Sequence, residues 1–310
     1  VTGPGGPGAG EWGAGGWGVG VGKSVVVTGA NSGIGLATVL ELAGAGYDVI
    51  GTARGSAKAA EIADAATAKG QQVRTVQLDV ADADSTRDGF AEIAAMTDGG
   101  PWAVVNNAGF AQMGVIEDVD DDAVRYQLEV NTVAPARIAR IVLPAMRERG
   151  DGRIVNISSV AGRMSLPLMG WYCASKHALE AVTNALRIEV SDFGVKVVLV
   201  EPGSFGTNIW AGGQSNAPEP TTAAYAAAYE RGTGLTSRAG LMPSPVWVAR
   251  TIRMALASPL PPARYLVGVD AYSGVLADKV VPTVLSDYVK GVASGLRRLP
   301  FPIPGHGGRG

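Results

Sequence analysis

Short apolar runs rich in β-branched residues alternate along the chain with longer stretches in which apolar side chains return every three or four positions. The runs at 24–28 (Ser-Val-Val-Val-Thr), 47–52, 73–78, 103–105 and 195–200 have the length and continuity of strands buried on both faces, as in a parallel sheet. After the first run, Leu36, Val39, Leu40 and Leu42 repeat at helical spacing as far as Gly44 and Gly46, which predict a helix stop. Asn131 falls within a long helical stretch, and A-A-Y-A-A-A-Y-E near 223–230 predicts a short helix. Strand alternating with helix predicts one α/β domain on a parallel sheet. We expect a disordered Gly-rich tail over 1–22, a domain over 23–270 with a flexible lid near 203–245, and a helical extension with a flexible tail over 271–310. In that extension Pro282 interrupts the helical pattern carried by Val275, Leu276, Val280, Val284 and Leu285.

The link between the first strand and the first helix is Gly29-Ala30-Asn31-Ser32-Gly33-Ile34-Gly35. Strand, Gly-rich turn and helix in that order are the context of a dinucleotide site. Glycines let backbone approach a pyrophosphate, and the helix N-terminus offers unpaired N–H groups and positive potential. A second constellation lies further on. Tyr172 and Lys176 are four residues apart in W-Y-C-A-S-K-H, so a helix puts them on one face, one turn apart. A phenol and an ammonium there can work as one proton-transfer unit, the cation drawing the phenol's pKa down from about 10. Ser159, in N-I-S-S-V, can polarise the same oxygen. Taken alone, Tyr-x-x-x-Lys describes many amphipathic surfaces; the Gly-rich turn gives it weight.

Composition narrows the field. With 26 basic and 28 acidic residues, the chain carries no electrostatic signature of a nucleic-acid partner. The single cysteine, Cys173, excludes an internal disulfide and suits a reducing cytoplasm. No apolar stretch is long enough for a membrane span, and the N-terminus lacks the basic start and apolar core of a signal peptide. Membrane contact by the extension is the lesser expectation beside ordinary helix packing. His177 points off the Tyr172 face and His306 sits among Gly and Pro, so no metal site is expected.

The spacing T-G-x-x-x-G-I-G resembles that of the short-chain dehydrogenase/reductase family, single-domain branch. The family's other marks follow in order: Asp79, Asn106-Asn107-Ala108-Gly109, Asn131 in V-N-T, Ser159, Tyr172, Lys176, Pro202-Gly203 and Thr207, over about 23–268. V-N-N-A-G-F, A-S-K-H-A-L-E-A and V-E-P-G look most like the 17β-hydroxysteroid and retinol dehydrogenase-like group. The resemblance implies a doubly wound, Rossmann-type parallel sheet with helices on both faces. It implies that Tyr172 gives or takes a proton, Ser159 holds the substrate oxygen, Lys176 lowers the tyrosine pKa and binds ribose, and Asn131 sustains a water chain. The cofactor would be held by Gly29, Asn31, Ser32, Gly33, Ile34, Gly35, Arg54, Asp79, Val80, Asn106, Ala108, Gly109, Tyr172, Lys176, Pro202, Gly203, Phe205 and Thr207. Asp79 is equally readable as a helix cap, and the paired Asn106 and Asn107 as sheet fasteners. A homodimer or homotetramer is implied by analogy alone.

The second strand ends at Ala53-Arg54, with no acid to bind the ribose hydroxyls of NAD and repel a 2′-phosphate. Arg54 presents a planar fork of donors suited to that phosphate, so NADP(H) is preferred and NAD(H) remains possible. Phe110, Met113, Met164, Leu168, Met169 and Trp171 are either an apolar substrate wall or ordinary core. The reading is an NADP(H)-dependent oxidoreductase of apolar ketones, aldehydes or secondary alcohols. The alternatives are an NAD-linked catabolic alcohol dehydrogenase and a dinucleotide sensor without turnover.

Overall fold

Seven parallel strands form one sheet in the order β3-β2-β1-β4-β5-β6-β7. They are β1 (Ser24–Val27), β2 (Asp48–Ala53), β3 (Arg74–Gln77), β4 (Ala103–Asn106), β5 (Gly152–Ile157), β6 (Val195–Pro202) and β7 (Arg264–Val267). This is the doubly wound Rossmann-type arrangement expected. The structure is a computed structural model that describes residues 22–206, 209, 217–236 and 242–297. The Gly-rich segment over 1–21, Thr207, Trp210, His306 and parts of the expected lid and tail lie outside the described residues.

Alternation along β1 explains the unbroken apolar run. Val25 and Val27 project into one core with Val39, Ile62, Val248 and Ile252, while Val26 projects into the other with Phe90, Ile93, Ile138 and Met146. The first face is covered by α1 (Gly33–Gly44), α2 (Ser56–Thr67) and α8 (Val246–Ala257), the second by α3 (Ala83–Met96) and α5 (Ala134–Arg149). Each strand valine is thus dry on both sides of the sheet, a burial that stabilises by roughly 1.5–3 kcal/mol per side chain.

The long helical stretch around Asn131 is not continuous. α4 (Asp121–Leu128) and α5 are joined by a π-helical turn over Glu129–Val133. Pro135 supplies the reason: it has no N–H to give to the carbonyl of Asn131, so the regular ladder cannot close there. After β5 a 3-10 turn (Val160–Gly162) leads to α6 (Gly170–Glu189). The region expected as a lid contains α7 (Ala226–Thr236), and the extension contains α9 (Val269–Val280) and α10 (Thr283–Ser294), parted at Val281-Pro282. In the sheet order β1 lies between β2 and β4, so the connections leave in opposite directions there and open a crevice at the strands' carboxyl ends.

Candidate active site

That crevice is a cleft of about 830 Å³ running from Arg54 to Tyr172. At its centre is the turn after β1. Gly29 has φ +62, and a side chain on it would press within 2.9 Å of Ala108 Cα. A Cβ on Gly35 would collide with Gly29 O and Asn107 Nδ2, so Gly35 closes the helix onto the turn and does not line the cleft. Asn31, Ser32, Gly33 and Ile34 do line it. Ser32 is the N-cap of α1, with no side-chain cap bond and no acid in the first turn, so the helix presents its positive end bare to the cleft. A pyrophosphate fits this backbone.

Asn107, more than Asn106, builds the neighbouring wall. Thr28 Oγ1 accepts from the N–H groups of Asn107 (3.1 Å) and Ala108 (3.0 Å), and Asn107 Nδ2 donates to Thr28 O at 2.9 Å. These bonds staple the loops after β1 and β4 together, with Ala108 and Gly109 in the cleft wall. Asn106 is only 3% exposed and donates to Asn156 Oδ1 at 2.7 Å, and Asn156 donates on to Thr183 Oγ1. Asn106 therefore fastens the sheet to α6 and does not line the cleft.

At the far end Arg54 lies beside Lys58 and Glu61 of α2, two residues that the sequence pattern did not single out; their only signal was their place in the helix after β2. Arg54 NH1 donates to Tyr126 Oη at 3.3 Å. Asp79 and Val80 line the cleft as well. Asp79 is not a helix cap: it accepts from Ala81 N–H, and Asp82 caps α3 by accepting from Ser85 N–H.

Ser159, Tyr172 and Lys176 converge at the opposite end. β5 delivers Ser159 to the cleft, where its hydroxyl accepts from Ala161 N–H at 3.1 Å. Tyr172 is 5% exposed, and burial pushes its pKa up to about 12, with hydrogen bonding to Ser159 pulling the other way. Lys176 Nζ donates to Ile157 O at 2.8 Å and stands 5.8 Å from the Tyr172 ring centroid. Burial draws its pKa down to about 8. The lowering of the phenol expected from Lys176 does not appear: Ser159 is the group that pulls the phenol down, and desolvation outweighs it.

Asn131 sits behind this group, 1% exposed and outside the cleft wall. Its Nδ2 donates to Phe110 O and Ser175 Oγ, and its Oδ1 accepts from Phe110 N–H. It thereby sets the loop carrying Gly109, where an added Cβ would lie 3.7 Å from Lys176 Nζ. Pro202, Gly203 and Phe205 close the same end, with Ile209, which the sequence pattern did not single out. Gly203 has to be glycine because the Asp270 carboxylate, which accepts from Ser204 N–H at 2.6 Å, occupies the space of a side chain.

The apolar residues before Tyr172 divide. Phe110 lines the cleft and packs on Tyr126, whereas Leu168 and Met169 belong to small buried clusters, that of Leu168 including Ala228 of α7. Cys173 is buried among them, its thiol pushed up by desolvation, and lies off the cleft. His177 turns its Nδ1 to Cys173 O, away from the cleft. Among the described residues no cluster of three His, Cys, Asp or Glu side chains is placed to hold a metal.

Comparison with known proteins gives a consistent picture. The family profile described as short chain dehydrogenase matches residues 23–218. The chain is 38% identical over 197 residues to the uncharacterized oxidoreductase YusZ of Bacillus subtilis, covering 63% of this chain and 69% of that protein. It superposes with a TM-score of 0.72 and 34% identity on the crystal structure of a short-chain dehydrogenase from Streptomyces avermitilis, covering 88% of this chain and 97% of the other. A metagenomic short-chain oxidoreductase in complex with NADP gives a TM-score of 0.64 at 26% identity, covering 80% and 98%.

Proposed function

The chain belongs to the short-chain dehydrogenase family and is a CH–OH oxidoreductase that uses NAD(P), and from that premise we propose that it employs NADP(H) to interconvert apolar ketones or aldehydes and their alcohols. The observation carrying this reading is the convergence of Ser159, Tyr172 and Lys176 at one end of a cleft whose other end holds Arg54 and Lys58.

Asn31, Ser32, Gly33 and Ile34 at the α1 N-terminus, Ala108-Gly109 and Pro202-Gly203 would hold the dinucleotide, which when bound would supply or accept the hydride. The chain's own groups handle the rest. Tyr172, with its pKa near 12, holds its proton through the neutral range and can pass it from Oη to a carbonyl oxygen as charge builds there. The Ser159 hydroxyl would hold that same oxygen, a role supported by its hydrogen bond with Tyr172. Lys176, a buried cation beside the ring, would stabilise the phenolate left behind. Asn131 keeps the Gly109 loop at a fixed height against Lys176. Phe110, Phe205 and Ile209 offer the substrate apolar surface, consistent with the hydroxysteroid- and retinol-like texture of the sequence.

Preference for NADP(H) is supported by two cations, Arg54 and Lys58, beside the neutral Ala53, and by the NADP held in the metagenomic relative. Glu61 at the same end is the one feature that favours an NAD-linked enzyme. A cytoplasmic homodimer or homotetramer belongs to the same reading; among the described residues no helix is long and apolar enough to cross a membrane.

The test is the initial rate of NADPH and NADH oxidation with steroid, retinoid and small aliphatic carbonyls. NADPH-dependent turnover of the bulky apolar compounds is expected, falling by about 10²–10⁴-fold in Tyr172→Phe while NADPH binding persists. Binding of NADPH without turnover of any carbonyl in the wild type would leave the sensor reading in its place.

A further inference from the structure

Beneath the catalytic end lies a buried group of charges that the proposed reaction does not use. Glu201 is fully buried on β6, immediately before Pro202-Gly203. It pairs with Arg163, which follows the 3-10 turn of Ser159, at 3.4 Å, and with Arg264 of β7 at 3.0 Å. Arg264 also pairs at 3.2 Å with Glu180, which is 5% exposed on α6. Tyr172, Lys176 and Glu180 are spaced at i, i+4 and i+8, so they stack along one face of that helix.

Among the described residues, Glu180 Oε1 and Ser158 Oγ in this region have no hydrogen-bond partner. Both side chains border Gly162. A Cβ there would lie 2.8 Å from Ser158 Oγ, 3.1 Å from Glu180 Cγ and 3.2 Å from Lys176 O. Glycine at 162 thus lets the 3-10 turn settle directly onto the Lys176–Glu180 stretch of α6. One carboxylate oxygen of Glu180 is held by Arg264, and the other is buried with no hydrogen-bond partner among the described residues. A bare buried carboxylate oxygen is costly unless a cation balances it.

We propose that Glu180 is a positioning residue for the reaction, its carboxylate oriented by Arg264 and placed one helical turn beyond Lys176 so as to keep that buried ammonium charged beside Tyr172. The inference rests on the function proposed above for Lys176. A cation in the interior loses hydration, and without a counter-charge it sheds its proton. Desolvation is indeed the larger influence on Lys176, and Glu180 acts against it. Titratable groups near Lys176 among the described residues include Tyr172, Cys173, His177 and Glu180 on its own helix, with Arg163 after the 3-10 turn, Glu201 on β6 and Arg264 on β7 grouped about Glu180. β5, the β4 loop and the π turn present Ser158, Ser159, Asn107 and Asn131, which carry no charge. Glu180 is thus the acid nearest Lys176 along the helix, while Glu201 is shared between two arginines.

The experiment is a pH titration of the protein carrying ¹³C-labelled lysine, followed by NMR, with the Lys176 signal assigned by its loss in Lys176→Arg. It needs no turnover, so it separates this inference from the proposed activity. In the wild type Lys176 is expected to titrate near 8. In Glu180→Gln, which keeps the side chain's shape, the midpoint is expected to move down by about one unit, and in Glu180→Asp by less. The alkaline limb of kcat for carbonyl reduction should follow the same order, with the KM of the carbonyl little changed. An unmoved Lys176 midpoint in both variants, or a fall in kcat uniform across pH, would overturn the assignment.

Discussion

At the scale of single residues, Lys176 and Tyr172 show function set against stability. Lys176 has a pKa near 8 when folded, against 10.5 for an ordinary lysine. Between those values the unfolded chain binds the extra proton, so stability rises with pH over that window. Tyr172 runs the other way: its pKa near 12 lies above the ordinary 10, the folded state holds the extra proton, and stability falls as pH rises beyond 10. Urea unfolding at pH 7.5 and 9.5 should show the wild type gaining on the order of 1–2 kcal/mol relative to Lys176→Met over that step. A constant difference between the two proteins would mean that Lys176 is not held as a destabilised cation. On the proposed function the charge is retained at this cost because a neutral amine would not support a phenolate.

At the scale of elements, α7 is pinned by one carboxylate. Asp118, in the stretch before α4, accepts from Thr221 N–H, from Thr221 Oγ1 at 2.5 Å and from Tyr229 Oη at 2.8 Å. Tyr229 Oη in turn accepts from Val115 N–H, and Arg231 of the same helix donates to Val292 O of α10. α7 is therefore tied on one side to the loop bordering the cleft and on the other to the C-terminal extension. The bonds from Thr221 hold Asp118 below the usual carboxylate range, so the latch stays charged through the neutral range and fails only in acid. Asp118→Ala removes three acceptor contacts. It should raise the KM for bulky carbonyls about five- to tenfold, change kcat less, and speed proteolysis within 217–236. Equal KM values and an unchanged digestion pattern would show that the latch does not govern substrate entry.

At the scale of the whole molecule, the cleft joins parts of the chain that are far apart in sequence, so a bound dinucleotide should brace all of them. A ligand that binds only the folded state at a hundredfold excess over its Kd stabilises by about 2.7 kcal/mol, which for a chain of this size raises Tm by roughly 5–10 °C. NADPH is expected to give this shift and NADH, at the same concentration, a smaller one. Arg54→Asp should erase or invert the difference, because the 2′-phosphate then meets a carboxylate near Lys58. Identical shifts for both nucleotides in wild type and variant would remove Arg54 from the account of cofactor choice.

The sequence by itself determined what depends on local spacing. The β1–α1 glycine turn, the one-turn separation of Tyr172 and Lys176, the break at Pro282 and the valine runs of a two-faced sheet are consequences of backbone geometry and side-chain period, which neighbours along the chain dictate. Tertiary structure decided what depends on distant partners. Asn106 and Asn107 are adjacent and chemically identical, yet one meets Asn156 across the sheet and the other meets the Thr28 loop. Asn131, in the π turn before α5, meets Phe110 and Ser175, partners far from it along the chain. Tyr172 keeps its proton because packing from several elements removes it from water, and the Glu180–Arg264–Glu201–Arg163 group exists only once α6, β6, β7 and the 3-10 turn are brought together. Dielectric environment and counter-charge are properties of the assembled interior, and no window of sequence contains them.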